Sequence, residues 1–309
     1  MLLEDLLRRR LLLLTGKGGV GKSVVGAALA VAAAAAGKRV LFVEIDAAVE
    51  AEPLLAGLAA IPEVVTVNLK PQAVMDEYVR RKVRIDLIVR KIVESPIYHR
   101  FFSAAPGLKE LMILGKIVDS VEAKEHWSLR FQFDLVVADL PATGHGLSLL
   151  KVPSAASAAI PVGPVGRQAR WILKALRDPK RTGLVVVAIP EEMAVVEALE
   201  FDQQAREEVG MLPVGFILNA CHERPMSASQ EAEVLRLSSD AVEGTLEDGA
   251  PIAEALAAAR RRLRQARLTR FYERRVRRGV ATPLATLPFL TGPIDGAALR
   301  VLAAKLADA

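Results

Sequence analysis

The segment from Gly16 to Ser23 constrains the fold and chemistry of this chain more than any other, and it reads GKGGVGKS. It matches the pattern G-x-x-x-x-G-K-[ST], in which glycines allow backbone N–H groups to surround an anion without steric conflict. Lys22 is predicted to reach the β- and γ-phosphates of a nucleotide, and the Ser23 hydroxyl is predicted to ligate Mg²⁺. The loop residues expected to bind phosphate are Gly16, Gly18, Gly19, Val20, Gly21, Lys22 and Ser23.

The residues on either side of this loop have the composition of a buried strand and of a helix. Residues 11–14 are all leucine, which predicts a strand covered on both faces. Residues 24–36 are rich in alanine and predict a helix that ends before Gly37. A helix that begins directly after the loop adds the positive end of its dipole to the anion site. This order of strand, loop and helix is the one that a nucleotide-binding domain requires.

Short apolar runs recur along the chain with helical segments between them, as in a doubly wound α/β domain. Most are continuous stretches of Val, Ile and Leu, which is typical of parallel strands covered on both faces. Ligands of such sheets bind at the carboxyl ends of the strands. We therefore predict a single domain over residues 1–309 with a mostly parallel sheet. The predicted strands span residues 11–14, 40–45, 64–69, 135–138, 184–189, 215–218 and 286–287.

One stretch of the chain lacks this alternation of strands and helices. Residues 71–130 contain no clear strand and predict several helices. We interpret them as a helical subdomain inserted between two strands of the sheet. Residues 155–178 predict further helix and are a candidate contribution to the same subdomain.

Two aspartates follow predicted strands, so both would face a nucleotide bound at that edge. Asp139 ends the run FDLVVA, and its carboxylate is expected to hold Mg²⁺ through water, since Mg²⁺ keeps much of its hydration. Asp46 ends the run VLFVEI and is a candidate to position or deprotonate the water that attacks the γ-phosphate. A structural cap at the end of the strand is the alternative role for Asp46.

A second lysine inside the loop, Lys17, narrows the choice of families. The GKGGVGKS loop resembles the deviant phosphate loop of the dimeric ATPases that include MinD, ParA, the nitrogenase iron protein, ArsA and the tail-anchored-protein targeting ATPase. In those families this lysine crosses the dimer interface and stabilises the transferring phosphoryl group on the partner. The resemblance implies that Lys17, Lys22 and Asp46 are catalytic, and that the chain forms a homodimer or a heterodimer with a paralogue. A solvated surface lysine is the alternative.

Other segments resemble the branch that contains ArsA and the tail-anchored-protein targeting ATPase. The sequence DLPATGHG, which begins at Asp139, looks like the switch II segment of that branch, and residues 106–111 look like part of its helical subdomain. Asn219 matches an asparagine that reads the adenine edge there, and Pro288 matches a loop that closes over the base. The resemblance implies a slow ATPase that uses ATP and Mg²⁺ to capture or release a partner, for which a hydrophobic polypeptide is the expected class.

Two features of the sequence leave other functions open. The residues after Asp46 read AAVE, which differs from the family's usual continuation. A nucleotide-dependent interaction protein with negligible hydrolysis is therefore one alternative. The other is a MinD- or ParA-like organiser that binds membrane or nucleoid, and its support is the basic segment from Arg260 to Arg278. This segment has ten arginines and one glutamate, a charge of +9, while the whole chain carries +5.

The basic segment is open to more than one interpretation. We interpret it as a solvated helix face, and a docking surface for an acidic partner or an anionic membrane is the alternative. Nucleic acid is disfavoured because no known nucleic-acid motif accompanies the arginines.

Cysteine content and hydropathy exclude several classes of protein. Cys221 is the only cysteine, so neither an internal disulfide nor a thiolate site for a metalloid is expected. The longest apolar stretch, residues 24–36, is too short to cross about 30 Å of hydrocarbon. Charged residues among the first leucines do not fit a signal peptide. A soluble, cytoplasmic protein is therefore expected.

Overall fold

In the part of the chain that the structure describes, the protein folds around a sheet of seven strands in which every neighbouring pair is parallel. A computed structural model describes residues 2–46, 57–58, 61–83, 90–91, 93–96, 98, 100, 107–125, 130–243 and 250–308. The strand order is β3-β2-β4-β1-β5-β6-β7, so the strand before the phosphate loop lies at the centre. The strands are β1 (Leu11–Thr15), β2 (Val40–Ile45), β3 (Val64–Leu69), β4 (Leu135–Asp139), β5 (Thr182–Ala188), β6 (Pro213–Cys221) and β7 (Leu284–Pro288).

Helices pack on both faces of this sheet, and each face has its own apolar cluster. The continuous apolar strands β1 and β5 are buried along their full length, as a sheet covered on both sides requires. The doubly wound fold predicted from the sequence is therefore confirmed. The helices are α1 (Leu2–Leu7), α2 (Lys22–Ala35), α3 (Pro71–Lys82), α4 (Leu108–Glu122), α5 (Thr143–Ala159), α6 (Gly163–Arg177), α7 (Glu192–Gln204), α8 (Ala228–Glu243), α9 (Ala250–Gly279) and α10 (Gly296–Ala307).

The helix after the phosphate loop shows why alanine and glycine dominate that segment. Every residue of α2 from Val25 to Ala34 is buried. A Cβ on Gly26 would lie 2.9 Å from the Phe42 ring, so small side chains let α2 approach the sheet closely. Close packing of this helix fixes the position of the loop that precedes it.

The described part of the 71–130 segment is mostly helical. Its helices α3 and α4 come between β3 and β4 along the chain and pack against each other. The helices α5 and α6 follow β4 and also pack on α4. Pro106, the first residue of the segment that resembles the family's helical subdomain, lies outside the described residues. The division into a sheet domain and an inserted subdomain remains a prediction.

A short helix at the start of the chain was not predicted. Leu2, Leu3 and Leu6 of α1 are buried, and the helix packs on β6 and α10. Among the described residues, no helix combines the length and the hydropathy needed to cross a membrane.

Candidate nucleotide-binding site

The loop between β1 and α2 has the backbone of an anion cradle. Gly19 and Gly21 adopt φ angles of 85° and 81°, the left-handed region that favours glycine. A Cβ on Gly16 would lie 2.2 Å from the carbonyl oxygen of Val187, so no larger residue fits there. A Cβ on Gly21 would lie 2.5 Å from Nδ2 of Asn219. The loop therefore lies close to β5 and β6. Glycine is required in it because a side chain would clash with these strands, and because the backbone adopts left-handed conformations.

Lys22, the first residue of α2, is a partly buried cation within this cradle. Its Nζ donates to the Lys17 carbonyl oxygen at 3.3 Å, a long hydrogen bond. Burial lowers the pKa of Lys22, and the nearby charge of Asp139 offsets this only in part. A desolvated ammonium among backbone N–H groups is what a bound phosphate would stabilise.

Ser23 and Asp139 lie in direct contact beside Lys22. The Ser23 hydroxyl donates to Oδ2 of Asp139, while Oδ1 of Asp139 is buried without a partner among the described residues. Burial is the largest effect on Asp139 and raises its pKa, against the hydrogen bond from Ser23. A hydroxyl next to a buried carboxylate oxygen is a hard-oxygen donor set that suits Mg²⁺.

A second buried acid, Glu44, lies next to Asp139 on the adjacent strand of the sheet. The two residues are register partners on β2 and β4, and Glu44 is only 2% exposed. Its Oε2 has no hydrogen-bond partner among the described residues. Burial, and then the charge of Asp139, raise the pKa of Glu44. Both carboxyls would be stabilised in their charged forms by a cation at this place.

Lys17 lies against a carboxylate of its own chain. Its Nζ donates to Oε1 of Glu197 on α7 at 2.7 Å, and the two side chains are 35% and 30% exposed. The other carboxylate oxygen, Oε2, accepts a hydrogen bond from the Thr143 hydroxyl at 3.3 Å. Glu197 therefore links the phosphate loop to the first residue of α5. In this conformation Lys17 is held in cis, whereas the family resemblance predicts contact with a partner's nucleotide.

The segment after β4 contacts the loop through its backbone as well. The Thr143 amide donates to the Gly16 carbonyl at 3.1 Å, and the Leu140 amide donates to the Leu14 carbonyl at 3.0 Å. Gly146 allows a close approach, since a Cβ there would lie 2.9 Å from the Pro141 carbonyl oxygen. A shift of the phosphate loop would therefore be transmitted directly to α5.

Asp46 follows β2 at the same edge of the sheet. Its backbone is left-handed, with φ at 49°, and its amide donates to the Leu69 carbonyl at 3.1 Å. The side chain is exposed. Residues 47–50, where the sequence departs from the family, lie outside the described residues. The structure therefore places the Asp46 carboxylate at the predicted edge, and its catalytic role stays a prediction.

Asn219 and Pro288 lie at the ends of the neighbouring strands β6 and β7. Nδ2 of Asn219 donates to the carbonyl oxygen of Val20 in the phosphate loop at 3.0 Å. Beyond these strand ends is a cleft of about 410 Å³. The Phe289 ring stacks on the His222 ring in its wall, with a centroid distance of 4.6 Å. The cleft also includes Cys221, Arg262, Gln265 and Pro288 in its lining.

Comparison with known proteins identifies the family of this chain. Residues 9–162 match the model of the anion-transporting ATPase family, ArsA_ATPase. ATPase BagA of Mycobacterium tuberculosis is 30% identical over 245 residues, which cover 72% of this chain and 69% of that protein. The chain belongs to the ArsA ATPase family. It is accordingly an ATPase, and the family resemblance inferred from the loop and switch II is confirmed.

Two further ArsA-family relatives differ in how much of their length this chain covers. An arsenical pump-driving ATPase of Escherichia coli is 31% identical over 205 residues, 57% of this chain but 33% of that protein. ATPase GET3C of Arabidopsis thaliana is 24% identical over 257 residues, 65% of this chain and 64% of that protein. Some of the relatives are therefore named as arsenical pump-driving ATPases, and others are not.

Sequence reasoning missed two acidic residues of this ArsA-family site, Glu197 and Glu44. Glu197 lies three residues after Ala194 and four before Phe201, both buried, so it shares the face that α7 buries. Glu44 is an acid inside an otherwise apolar buried strand. An acidic residue at a position where the helix or strand pattern predicts burial is the signal that would have identified Glu197 and Glu44.

Proposed function

We propose that this chain is a Mg-ATP-dependent dimeric switch that hydrolyses ATP slowly in the cytoplasm and couples the nucleotide state to capture or release of a partner. The observation that carries the proposal is the desolvated Lys22 ammonium in a glycine cradle beside Oδ1 of Asp139, which has no partner among the residues that the structure describes. A bound triphosphate would supply the anion that pairs with the Lys22 ammonium, and its accompanying cation would supply the positive charge beside Asp139.

Ser23 and Asp139 would hold Mg²⁺, which neutralises the charge that develops on the β- and γ-phosphate oxygens. Lys22 contributes a positive charge to the same oxygens, and its low hydration strengthens that contact. Asp46 would orient the attacking water from the end of β2. Glu44 would add negative charge beside Asp139, which favours binding of the cation there.

We assign the adenine base to the cleft beyond β6 and β7. Its wall provides an aromatic ring, Phe289, and the apolar Pro288 against which a base can stack. Because Nδ2 of Asn219 is engaged with Val20, its carbonyl oxygen is the atom available to accept from the adenine amino group. This proposal assigns recognition of the base to Asn219 and stacking to the Pro288 loop.

Dimerisation would move Lys17 from Glu197 to the nucleotide of a second protomer. A phosphate carries more negative charge than one carboxylate, so a partner's triphosphate competes well for this lysine. When Lys17 leaves, Glu197 keeps its contact with Thr143 alone, so the side-chain link from Lys17 to α5 is broken. The partner protomer is the same chain or a paralogue.

A hydrophobic polypeptide is the partner class that the surface supports. The turn between α5 and α6 exposes Ile160 and Val162, and the first turn of α6 exposes Val165; the three side chains are 46%, 77% and 36% accessible. Exposed apolar side chains that lie close together are characteristic of binding surfaces. They lie directly after α5, the helix that Glu197 links to the phosphate loop.

Mixing two inactive variants tests the dimeric mechanism. Lys17→Ala keeps its own phosphate site but supplies no lysine, whereas Lys22→Ala supplies Lys17 but has a damaged site. A mixed dimer therefore contains one complete site, so phosphate release should reappear when the two proteins are combined. The proposal would be contradicted if Lys17→Ala alone hydrolysed ATP at the wild-type rate. It would also be contradicted if the mixture were no more active than the two variants measured separately.

A further inference from the structure

The helix α9 is anchored to the protein along one narrow stripe. Leu263, Ala266, Tyr272 and Val276 are 2%, 1%, 9% and 0% exposed, and the Thr269 side chain between them is 5% exposed. The helix packs through this stripe on α7, α8 and β6. Its orientation is therefore fixed by the fold, and the opposite face is presented to the surroundings.

That outer face combines apolar side chains with arginines. Leu268 and Phe271, two large apolar residues three positions apart, are 42% and 53% exposed. They line a shallow depression of about 640 Å³ whose other walls are charged side chains. Every lining residue that the structure describes belongs to α9: Arg264, Arg267, Leu268, Arg270, Phe271, Glu273 and Arg274. Among these residues the depression is a gap between side chains of one helix, without a second wall.

Most of the arginines on α9 are not neutralised by carboxylates that the structure describes. Arg267 pairs with Glu231 on α8 at 2.5 Å, and Arg277 pairs with Glu273 at 2.8 Å. The other eight of the ten arginines between residues 260 and 278 have no carboxylate within 4.0 Å in the part of the chain that the structure describes. Like charges three and four residues apart repel each other on a helix, so an anionic partner would stabilise this surface.

We propose that the outer face of α9 docks on an anionic phospholipid surface. Guanidinium groups bind phosphates in a bidentate manner, and their stems lie along apolar surface while the charge stays at the headgroup level. Leu268 and Phe271 would enter the boundary between headgroups and acyl chains, as apolar residues of interfacial helices do. A second copy of this chain would bring the same positive charge, and a peptide would find no groove between two elements.

This proposal is independent of the nucleotide site, because none of the residues that carry it contacts the phosphate loop in the structure. It is tested by sedimentation of the purified full-length protein with vesicles at low and at high salt. Vesicles of phosphatidylcholine alone are compared with vesicles that also contain phosphatidylglycerol. The wild-type protein should sediment with the anionic vesicles alone, and high salt should release it.

Two triple variants that remove the same amount of charge distinguish binding by this face of α9 from general electrostatic attraction. Arg264→Gln, Arg270→Gln and Arg274→Gln together should weaken binding roughly a hundredfold, at about fivefold for each arginine near an anionic surface. The matched control combines Arg80→Gln, Arg167→Gln and Arg300→Gln, which are exposed on other helices, and should bind as the wild type does. Phe271→Ser should also weaken binding, with no change in charge.

Three results would overturn the proposal. One is a wild-type protein that does not sediment with anionic vesicles even at low salt. Another is an equal loss of binding in both triple variants, which would mean that total charge alone is responsible. The third is tighter binding to a DNA duplex than to anionic vesicles in the same buffer, which would assign the arginines to nucleic acid.

Discussion

The ammonium of Lys17 lies 2.7 Å from the Glu197 carboxylate of the same chain, and this contact joins a lysine of the phosphate loop to a helix 180 residues away. The pair is about one-third exposed, so its contribution is modest, on the order of 0.2–1 kcal/mol. In a dimeric mechanism this ion pair must break before Lys17 reaches a second protomer. In that mechanism Glu197 would be a positioning residue that opposes dimer closure.

Replacing Glu197→Gln should make dimerisation with a non-hydrolysable ATP analogue easier. The protein concentration at half-dimerisation should fall roughly two- to fivefold, since the ion pair no longer competes for Lys17. Analytical ultracentrifugation measures this concentration. Glu200→Gln, on the exposed side of the same helix, is the matched control and should change nothing. In a Lys17→Ala background the effect of Glu197→Gln should vanish, and an unchanged effect there would rule out this role.

Removal of the oxygen ligands should raise the Mg²⁺ requirement of ATP hydrolysis. We expect Ser23→Ala and Asp139→Asn each to increase the Mg²⁺ concentration for half-maximal activity by roughly 10–100-fold, the usual range for residues that hold or orient a metal's ligands. A magnesium titration of phosphate release provides the measurement. Asp119→Asn, on α4 away from the loop, is the control. If neither variant alters the magnesium dependence, these residues do not hold the metal.

Asn219→Ala should weaken ATP binding without weakening binding of inorganic tripolyphosphate. Loss of one hydrogen bond to the base lowers affinity by about two- to tenfold. Tripolyphosphate has no base, so calorimetric titrations with both ligands separate the two contacts of Asn219. Because Asn219 also donates to Val20, an equal loss for both ligands would show that it acts by bracing the phosphate loop.

The Arg39–Asp134 pair should make stability depend on pH in the acid range. Arg39 donates to both carboxylate oxygens of Asp134, immediately before β2 and β4, and these hydrogen bonds lower the pKa of Asp134. Since the pKa is lower in the folded state, the stabilisation is fully present above the unfolded pKa of about 3.9. It is lost as the pH falls through the folded value.

Asp134→Asn should therefore be less stable than the wild type at neutral pH, and the difference should shrink as the pH falls below about 4. Urea denaturation over a series of pH values measures it. Asp308→Asn, near the end of the chain and exposed, serves as the control. A stability difference that stays constant down to strongly acid pH would exclude the titration of Asp134 as its cause.

The parts of this site that could be predicted from the sequence are those encoded by local patterns. The glycines of the loop and the strand that precedes it require only neighbouring residues, so their pattern is visible in the sequence. Asp139 could be predicted because an acid at the end of an apolar strand has a defined place in such a sheet.

What the sequence did not predict depends on contacts between distant segments. Glu197 meets Lys17 only because α7 packs beside the phosphate loop, and Glu44 faces Asp139 only because β2 and β4 are neighbours. The helix α1 has six residues, too few to be stable alone, and forms because its leucines are buried by β6 and α10.

The mass of the protein in solution tests the dimeric switch most directly. Light scattering would be measured without nucleotide, with ADP, and with a non-hydrolysable ATP analogue, each in the presence of Mg²⁺. A dimeric switch requires a mass that doubles with the analogue, and Lys17→Ala should show a smaller increase at the same protein concentration. A mass that is the same in all three states, whether monomer or dimer, would contradict assembly driven by ATP.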